Sequence, residues 1–308
     1  MGSETTRQLV HLGHEVTVID SLTYASHVKN LESVSAQINF LKIDIRDGNK
    51  LSEVLSQNLY DSVINFAAET HVDNSIKSPR IFLETNVIGT FNLLEAAQKY
   101  NFRLLQVSTD EVYGSTSEGS FTEASSFNPS SPYSASKAAA EMFVNAFVST
   151  YGLDIVGVRC SNNYGPFQNT EKLIPTLIRK TIDSEKLPLY GNGSNVREWI
   201  HVSDSSRAII AVLLRGTPGS FYNISSGNFQ ENLEVARKVL DYFGAEHSQI
   251  EFVEDRPGHD FRYAIDSSKI REELGWYPEI DFDSGLNETI DWYSSNVDWA
   301  LRNREIFR

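Results

Sequence analysis

Residues 2–20 read GSETTRQLVHLGHEVTVID, and their pattern sets the fold. Ser3 to His11 has helical spacing, Gly13 suits the turn that ends a helix, and Glu15 to Asp20 is a short apolar-rich strand closing on an acid. Further strands are expected at Ile38 to Lys42, Ser62 to Phe66, Arg103 to Ser108 and Asp154 to Arg159. Helical patterns at Asp47 to Gln57, about Pro79 to Tyr100 and about Pro132 to Tyr151 separate them, the prolines suiting a first helical turn. Buried strands alternating with helices predict an α/β fold, a doubly wound, Rossmann-like parallel sheet.

In such a sheet a strand enters a glycine-rich turn, a helix N-terminus receives the pyrophosphate of a dinucleotide, and an acid about 20 residues on holds the ribose hydroxyls. Asp20 is placed to be that acid, and Gly2-Ser3 reads as the end of the glycine turn. The first strand and the earlier glycines are missing from this pattern. Its neighbours would then show unpaired backbone groups, which a native sheet avoids, so a start inside the motif is the expected explanation.

Beyond about Asn163 the rhythm becomes shorter and more mixed. Helices are expected near Leu173 to Thr181, Asp204 to Leu214, Leu233 to Phe243, Ser268 to Leu274 and Leu286 to Tyr293. Strands are expected near Leu187 to Tyr190, Arg197 to His201, Phe221 to Ile224, Ile250 to Val253 and Tyr263 to Ile265. This predicts a smaller α+β lobe, 163–195 plus 217–308, interleaved with a nucleotide-binding lobe, 1–162 plus about 196–216.

A formal net charge of −14 argues against a nucleic-acid partner, which would need basic residues to neutralise phosphates. No stretch approaches the roughly 20 apolar residues of a membrane helix. The single cysteine, Cys160, excludes an internal disulfide and points to the cytoplasm; it reads as a small buried residue rather than a nucleophile. The seven histidines contain no HExxH, and no metal is expected.

Tyr133-Ser-Ala-Ser-Lys137 places a phenol and an ammonium on one helical face. The lysine should lower the phenol's pKa, as a general base for oxidising a hydroxyl requires. Alone the pattern is weak. The strand from Leu104 delivers Ser108-Thr109-Asp110-Glu111 at its carboxyl end, where doubly wound sheets bind ligands. Adjacent carboxyls can have their pKa values driven apart, one acting as acid and the other as base, although two acids in a solvated turn would look the same.

Together with these, FAAETHVD (66–73), TDEVYG (109–114), NNYGP (162–166), EKLIP (171–175), Asn195-Val-Arg197 and DRPGHD (255–260) give the chain a clear resemblance to the dTDP-glucose 4,6-dehydratase family. It extends from Gly2 over nearly the whole chain. Related epimerases and decarboxylases usually lack the Asp-Glu pair. The resemblance implies an NAD-dependent hydro-lyase: Tyr133, supported by Lys137 and Thr109, takes the C4 hydroxyl proton, Glu111 takes the C5 proton, and Asp110 protonates the departing C6 hydroxyl. It implies NAD contacts at Asp20, Asp44, Ile45, Ala67, Ala68, Thr85, Tyr133, Lys137 and Asn163. Substrate contacts fall on Thr70, Asn162, Lys172, Leu173, Arg197, Asn232, Arg256 and His259, the arginines being suited to a diphosphate. It also implies a homodimer packed through apolar faces within Phe82 to Tyr100 and Ala138 to Tyr151. His71 and Asp73 are assigned to loop hydrogen bonding. An epimerase or decarboxylase on the same scaffold is the rival enzyme, and a cofactor-free binding protein the rival from another class; the nucleotide base and downstream pathway stay open.

Overall fold

The computed structural model describes residues 1–297 and 299. The opening run forms helix α1 (Gly2–His11) and strand β1 (Val16–Asp20), joined through Gly13 at φ 87°. A 3-10 segment over Val28–Gln37 leads to β2 (Ile38–Lys42). Then come α2 (Gly48–Gln57), β3 (Ser62–Asn65), and the short helices α3 (Val72–Lys77) and α4 (Pro79–Phe82). The long helix expected over Pro79 to Tyr100 is interrupted by a π-helical turn at Leu83–Ile88 before α5 (Gly89–Tyr100). Strand β4 (Arg103–Thr109), helix α6 (Pro132–Tyr151) and strand β5 (Ile155–Cys160) complete the central layer. The start of α6 is fixed by Pro132 in its first turn and by a reciprocal cap between Ser131 and Ser134.

The remaining elements are β6 (Asn162–Tyr164), α7 (Leu173–Ile182), β7 (Leu187–Tyr190), β8 (Val196–His201), α8 (Val202–Arg215), β9 (Phe221–Ile224), β10 (Phe229–Glu231), α9 (Asn232–Phe243), β11 (Ile250–Val253), α10 (Ser268–Leu274) and α11 (Phe282–Ser295). β6 and β10 are too short and polar to give a strand signal, and exist because β8 lies between them. The strand expected at Tyr263 to Ile265 is instead a connection with isolated bridges, Phe121 to Ile265 and Val196 to Arg262. An apolar cluster of α7, β7, α9 and α11 side chains, with Ile178, Leu187, Val239 and Leu240 at its centre, supports this part of the chain.

Parallel pairing runs β3-β4-β5-β9, with the wholly buried β5 matched to both neighbours. β1 and β2 form a separate parallel pair. β1 and β3 share no ladder, and the edges of both face the main cavity. This explains why β1, for all its apolar residues, is only half-buried along its length. Among the described residues no helix is long and apolar enough to cross a membrane, and no group of ligating side chains forms a metal site.

Candidate active site

Strand β4 ends in a tight turn. The Thr109 hydroxyl accepts the backbone N–H of Glu111 at 3.3 Å and donates to Asp110 Oδ1 at 3.1 Å, so the two carboxyls leave the strand in fixed directions. Asp110 is 3% exposed and its Oδ2 has no partner among the described residues. Burial, then the charges of Glu111 and Glu198, push its pKa well above the carboxylate range. Burial also raises Glu111, but Arg256, Arg197 and Lys172 counteract this. The arrangement favours a protonated Asp110 beside a more readily ionised Glu111.

Tyr133 and Lys137 lie on the face of α6 turned to the same cavity, and Lys137 Nζ donates to the Val107 carbonyl at 2.7 Å. The expected lowering of the phenol by its lysine is not found. Burial, then the Glu111 carboxylate, raises Tyr133, and the Thr109 hydroxyl only partly opposes them. Lys137 is itself lowered to about 8 by burial. At this buried position desolvation outweighs the helical pairing.

The cavity, about 1110 Å³, runs from the N-terminus of α1 along β1 and β3 to the end of β4. Asp20, Asp44, Ile45, Ala67, Ala68, Thr85, Tyr133, Lys137 and Asn163 all line it, as do Thr70, Asn162 and Lys172. Asp20 uses Oδ1 to accept the Leu22 N–H at 2.7 Å, which holds the carboxyl at the mouth of β1. Asp44 is clamped by Arg46 through contacts of 2.6–3.0 Å, which lowers its pKa. Its neighbour Ile45 is buried. Buried oxygens of Asn162 and Asn163 have no partner among the described residues, and such atoms are costly unless a ligand or water meets them. Helix N-terminus, strand-end acid and orphaned amide oxygens in one cleft fit a dinucleotide.

A second group lies beside the carboxyl pair. Arg197 is 5% exposed, stacks 4.4 Å from the Tyr263 ring, and bonds to the His259 ring at 2.9 Å and the Asp260 carbonyl at 3.0 Å. Arg256 lies 3.7 Å from Asp73, and its buried Nε has no partner among the described residues. Lys172 donates to the Thr70 carbonyl at 3.0 Å. The cations Arg197, Arg256 and Lys172 all bear on Glu111. Asn232 opens α9, its N–H bonded to Asn195, and its side-chain oxygen is buried without a partner. Leu173 packs against the apolar cluster around α7, and like Arg197, Asn232, Arg256 and His259 it is not among the cavity's lining residues.

Three functional contributions were not legible in the sequence. Asn86, in the π turn, accepts the Glu69 N–H at 2.8 Å and donates to the Glu69 carbonyl at 3.0 Å and to Ser136 Oγ at 2.8 Å, tying the FAAETHVD loop to α6. Tyr263 donates to Asp260 at 2.8 Å and lies 3.4 Å from Glu111. Glu141, one turn along α6 from Lys137, forms a buried ion pair with Arg159. Cys160 is buried as expected, its thiol pushed up to about 12 chiefly by burial.

The family model described as GDP-mannose 4,6 dehydratase matches residues 1–289. A dTDP-glucose 4,6-dehydratase of Xanthomonas campestris is 45% identical over 97% of this chain and 92% of its own length; one from Streptomyces niveus is 47% identical over 93% and 86%. The crystal structure of DesIV, a dTDP-glucose 4,6-dehydratase of Streptomyces venezuelae solved with NAD bound, superposes with a TM-score of 0.96 at 45% identity, covering 98% of this chain and 96% of that one. A UDP-glucose 4-epimerase of Thermus thermophilus shares the fold at 28% identity and a TM-score of 0.90, covering 96% of each chain. With matches of this extent, and with the carboxyl pair and the Tyr-Lys face in one cleft, the chain belongs to the dTDP-glucose 4,6-dehydratase family.

Proposed function

We propose that this protein is an NAD-dependent hydro-lyase that converts dTDP-glucose to its 4-keto-6-deoxy sugar nucleotide, using Thr109, Asp110, Glu111, Tyr133 and Lys137. The observation that carries the reading is the Asp110-Glu111 pair, whose unequal environments suit one carboxyl to giving a proton and the other to taking one. An epimerase has no water to eliminate and needs no such pair.

NAD, held between the N-terminus of α1, Asp20, Asp44, Ile45, Ala67, Ala68, Thr85, Tyr133, Lys137 and Asn163, would supply reversible hydride acceptance from C4 and return it to C6. Tyr133 takes the C4 hydroxyl proton, assisted by the Thr109 hydroxyl and the Lys137 charge. The resulting carbonyl acidifies C5–H, which Glu111 removes while Asp110 gives its proton to the departing C6 hydroxyl; as C6 regains the hydride, Glu111 returns a solvent-equilibrated proton to C5. Arg197 and Arg256, with His259 and Asn232, hold the diphosphate side of the substrate, while Thr70, Asn162 and Lys172 border the sugar. Leu173 supports this wall through its packing.

The same reading divides the chain into a cofactor lobe and a substrate lobe that close over this cleft. It also places a second copy of the chain on the outer face of α5 and α6, where Ile88, Met142, Phe143 and Tyr151 are exposed. The cytoplasm is the compartment this chemistry suits. The test is incubation with NAD and dTDP-glucose, following the alkali-dependent absorbance of the 4-keto-6-deoxy product. Product formation with a solvent-derived hydrogen at C5 is the expected result. A folded protein that binds NAD and instead returns a C4 epimer would overturn the assignment in favour of epimerisation.

A further inference from the structure

The catalytic face of α6 continues one turn past Lys137. Tyr133, Lys137 and Glu141 recur every four residues, so they form one stripe along the helix. Glu141 is wholly buried, and Arg159 of β5 grips it with Nε at 3.2 and 3.0 Å from its two oxygens and Nη2 at 2.7 Å. The far side of the guanidinium is enclosed by the rings of Tyr113, Phe127 and Phe221 at 5.1, 4.9 and 4.7 Å, and Nη1 donates to the Tyr113 hydroxyl at 2.6 Å. Tyr113 passes its own hydrogen to Asn223 on β9 at 2.9 Å.

A buried ion pair is a poor way to stabilise a fold, since well-packed apolar residues of the same volume do as well or better. This one therefore calls for another use, and its position supplies it. The groups facing Lys137 are the Val107 carbonyl from β4, the Cys160 thiol from β5, and Glu141 and Tyr133 on its own helix. Glu141 is the carboxylate among them.

We propose that Glu141, locked in place by Arg159, is a positioning residue that keeps the Lys137 ammonium charged where it meets the Val107 carbonyl at the cleft. This rests on the reading of Lys137 as the cation of the active site. Burial has already brought Lys137 down to about 8, and the Glu141 charge is what opposes a further fall.

The experiment is an NMR titration of the Lys137 Nζ resonance in the full chain, assigned by Lys137→Arg and followed in the original protein, in Glu141→Gln and in the double variant Glu141→Gln/Arg159→Gln. The double variant leaves no orphaned buried charge, so a fold that rejects the single change still gives an answer. In Glu141→Gln the midpoint should fall by about one pH unit or more, the range for loss of a nearby opposite charge, and in the double variant, which also removes the Arg159 cation, it should fall by less. In turnover assays the alkaline limb of kcat should move down with it while KM stays within about twofold, and Glu141→Asp should restore the limb. An unchanged Lys137 midpoint in the variants overturns the inference, as would an Asp variant indistinguishable from the Gln one. A midpoint that moves in a chain unable to turn over dTDP-glucose upholds the role of Glu141 and removes the dehydratase reading instead.

Discussion

Replacing Asn86 by leucine isolates the contribution of the π turn. The side chain is 1% exposed and makes three hydrogen bonds of 2.8–3.0 Å, two to the backbone of Glu69 and one to Ser136. At a net value of about 1 kcal/mol each, their loss costs about 3 kcal/mol, and the stranded Glu69 amide groups raise this toward about 5 kcal/mol. Leucine is close in volume, so the loss is polar rather than a cavity. The comparison is equilibrium denaturation in urea, with the midpoint falling and the slope unchanged. Because Thr85, Ala67 and Ala68 flank these contacts and line the cavity, NAD affinity measured by calorimetry should fall in the same variant. A destabilisation below about 0.5 kcal/mol, the range of a neutral surface change, would refute the claim that Asn86 fastens the loop to α6.

Glu111→Gln should lower kcat by about 10²- to 10⁴-fold and abolish deuterium uptake at C5 from solvent, the scale of a lost general base; retained uptake would move the base elsewhere. Asp110→Asn should make the protein more stable than the original at pH 8, with the difference shrinking toward pH 4. The sign follows because a raised carboxyl pKa contributes stability below the unfolded value near 3.8 and loses it as pH rises through the folded value, a loss asparagine does not suffer. Urea melts at the two pH values would show it, and a pH-independent difference would contradict it. Arg197→Met should raise KM for the nucleotide sugar by roughly 10- to 100-fold, as for one charged hydrogen bond, with a smaller effect on kcat; an unchanged KM would remove Arg197 from the diphosphate site.

Much of this was legible because it depends on short-range pattern. Buried strands such as Arg103–Thr109 and Ile155–Cys160 announce themselves as apolar runs, and α6 carries its proline and serine caps in the sequence. The site residues on strand ends and on one helical face were legible for the same reason. What was hidden depends on partners distant in the chain. β6 and β10 are strands only beside β8, and nothing in LETNVI signals the π turn that turns Asn86 inward. Tyr263 meets Glu111 across 152 positions, a juxtaposition no local spacing could show. The raised phenol of Tyr133 is likewise a property of the enclosing pocket rather than of the Tyr-Lys interval.

β1 and β2 form a wing beside the four-stranded sheet, and the cavity lies between them. That wing is fastened through α1, whose Thr5 hydroxyl bonds to Ser206 at 3.0 Å and whose Gln8 reaches the Ser203 carbonyl at 3.2 Å on α8, and through Asn92 of α5, which donates to the Ile45 carbonyl at 2.8 Å. A dinucleotide lying across the wing and the main sheet would tether the two. Its binding free energy would then appear first as slower amide exchange in that wing.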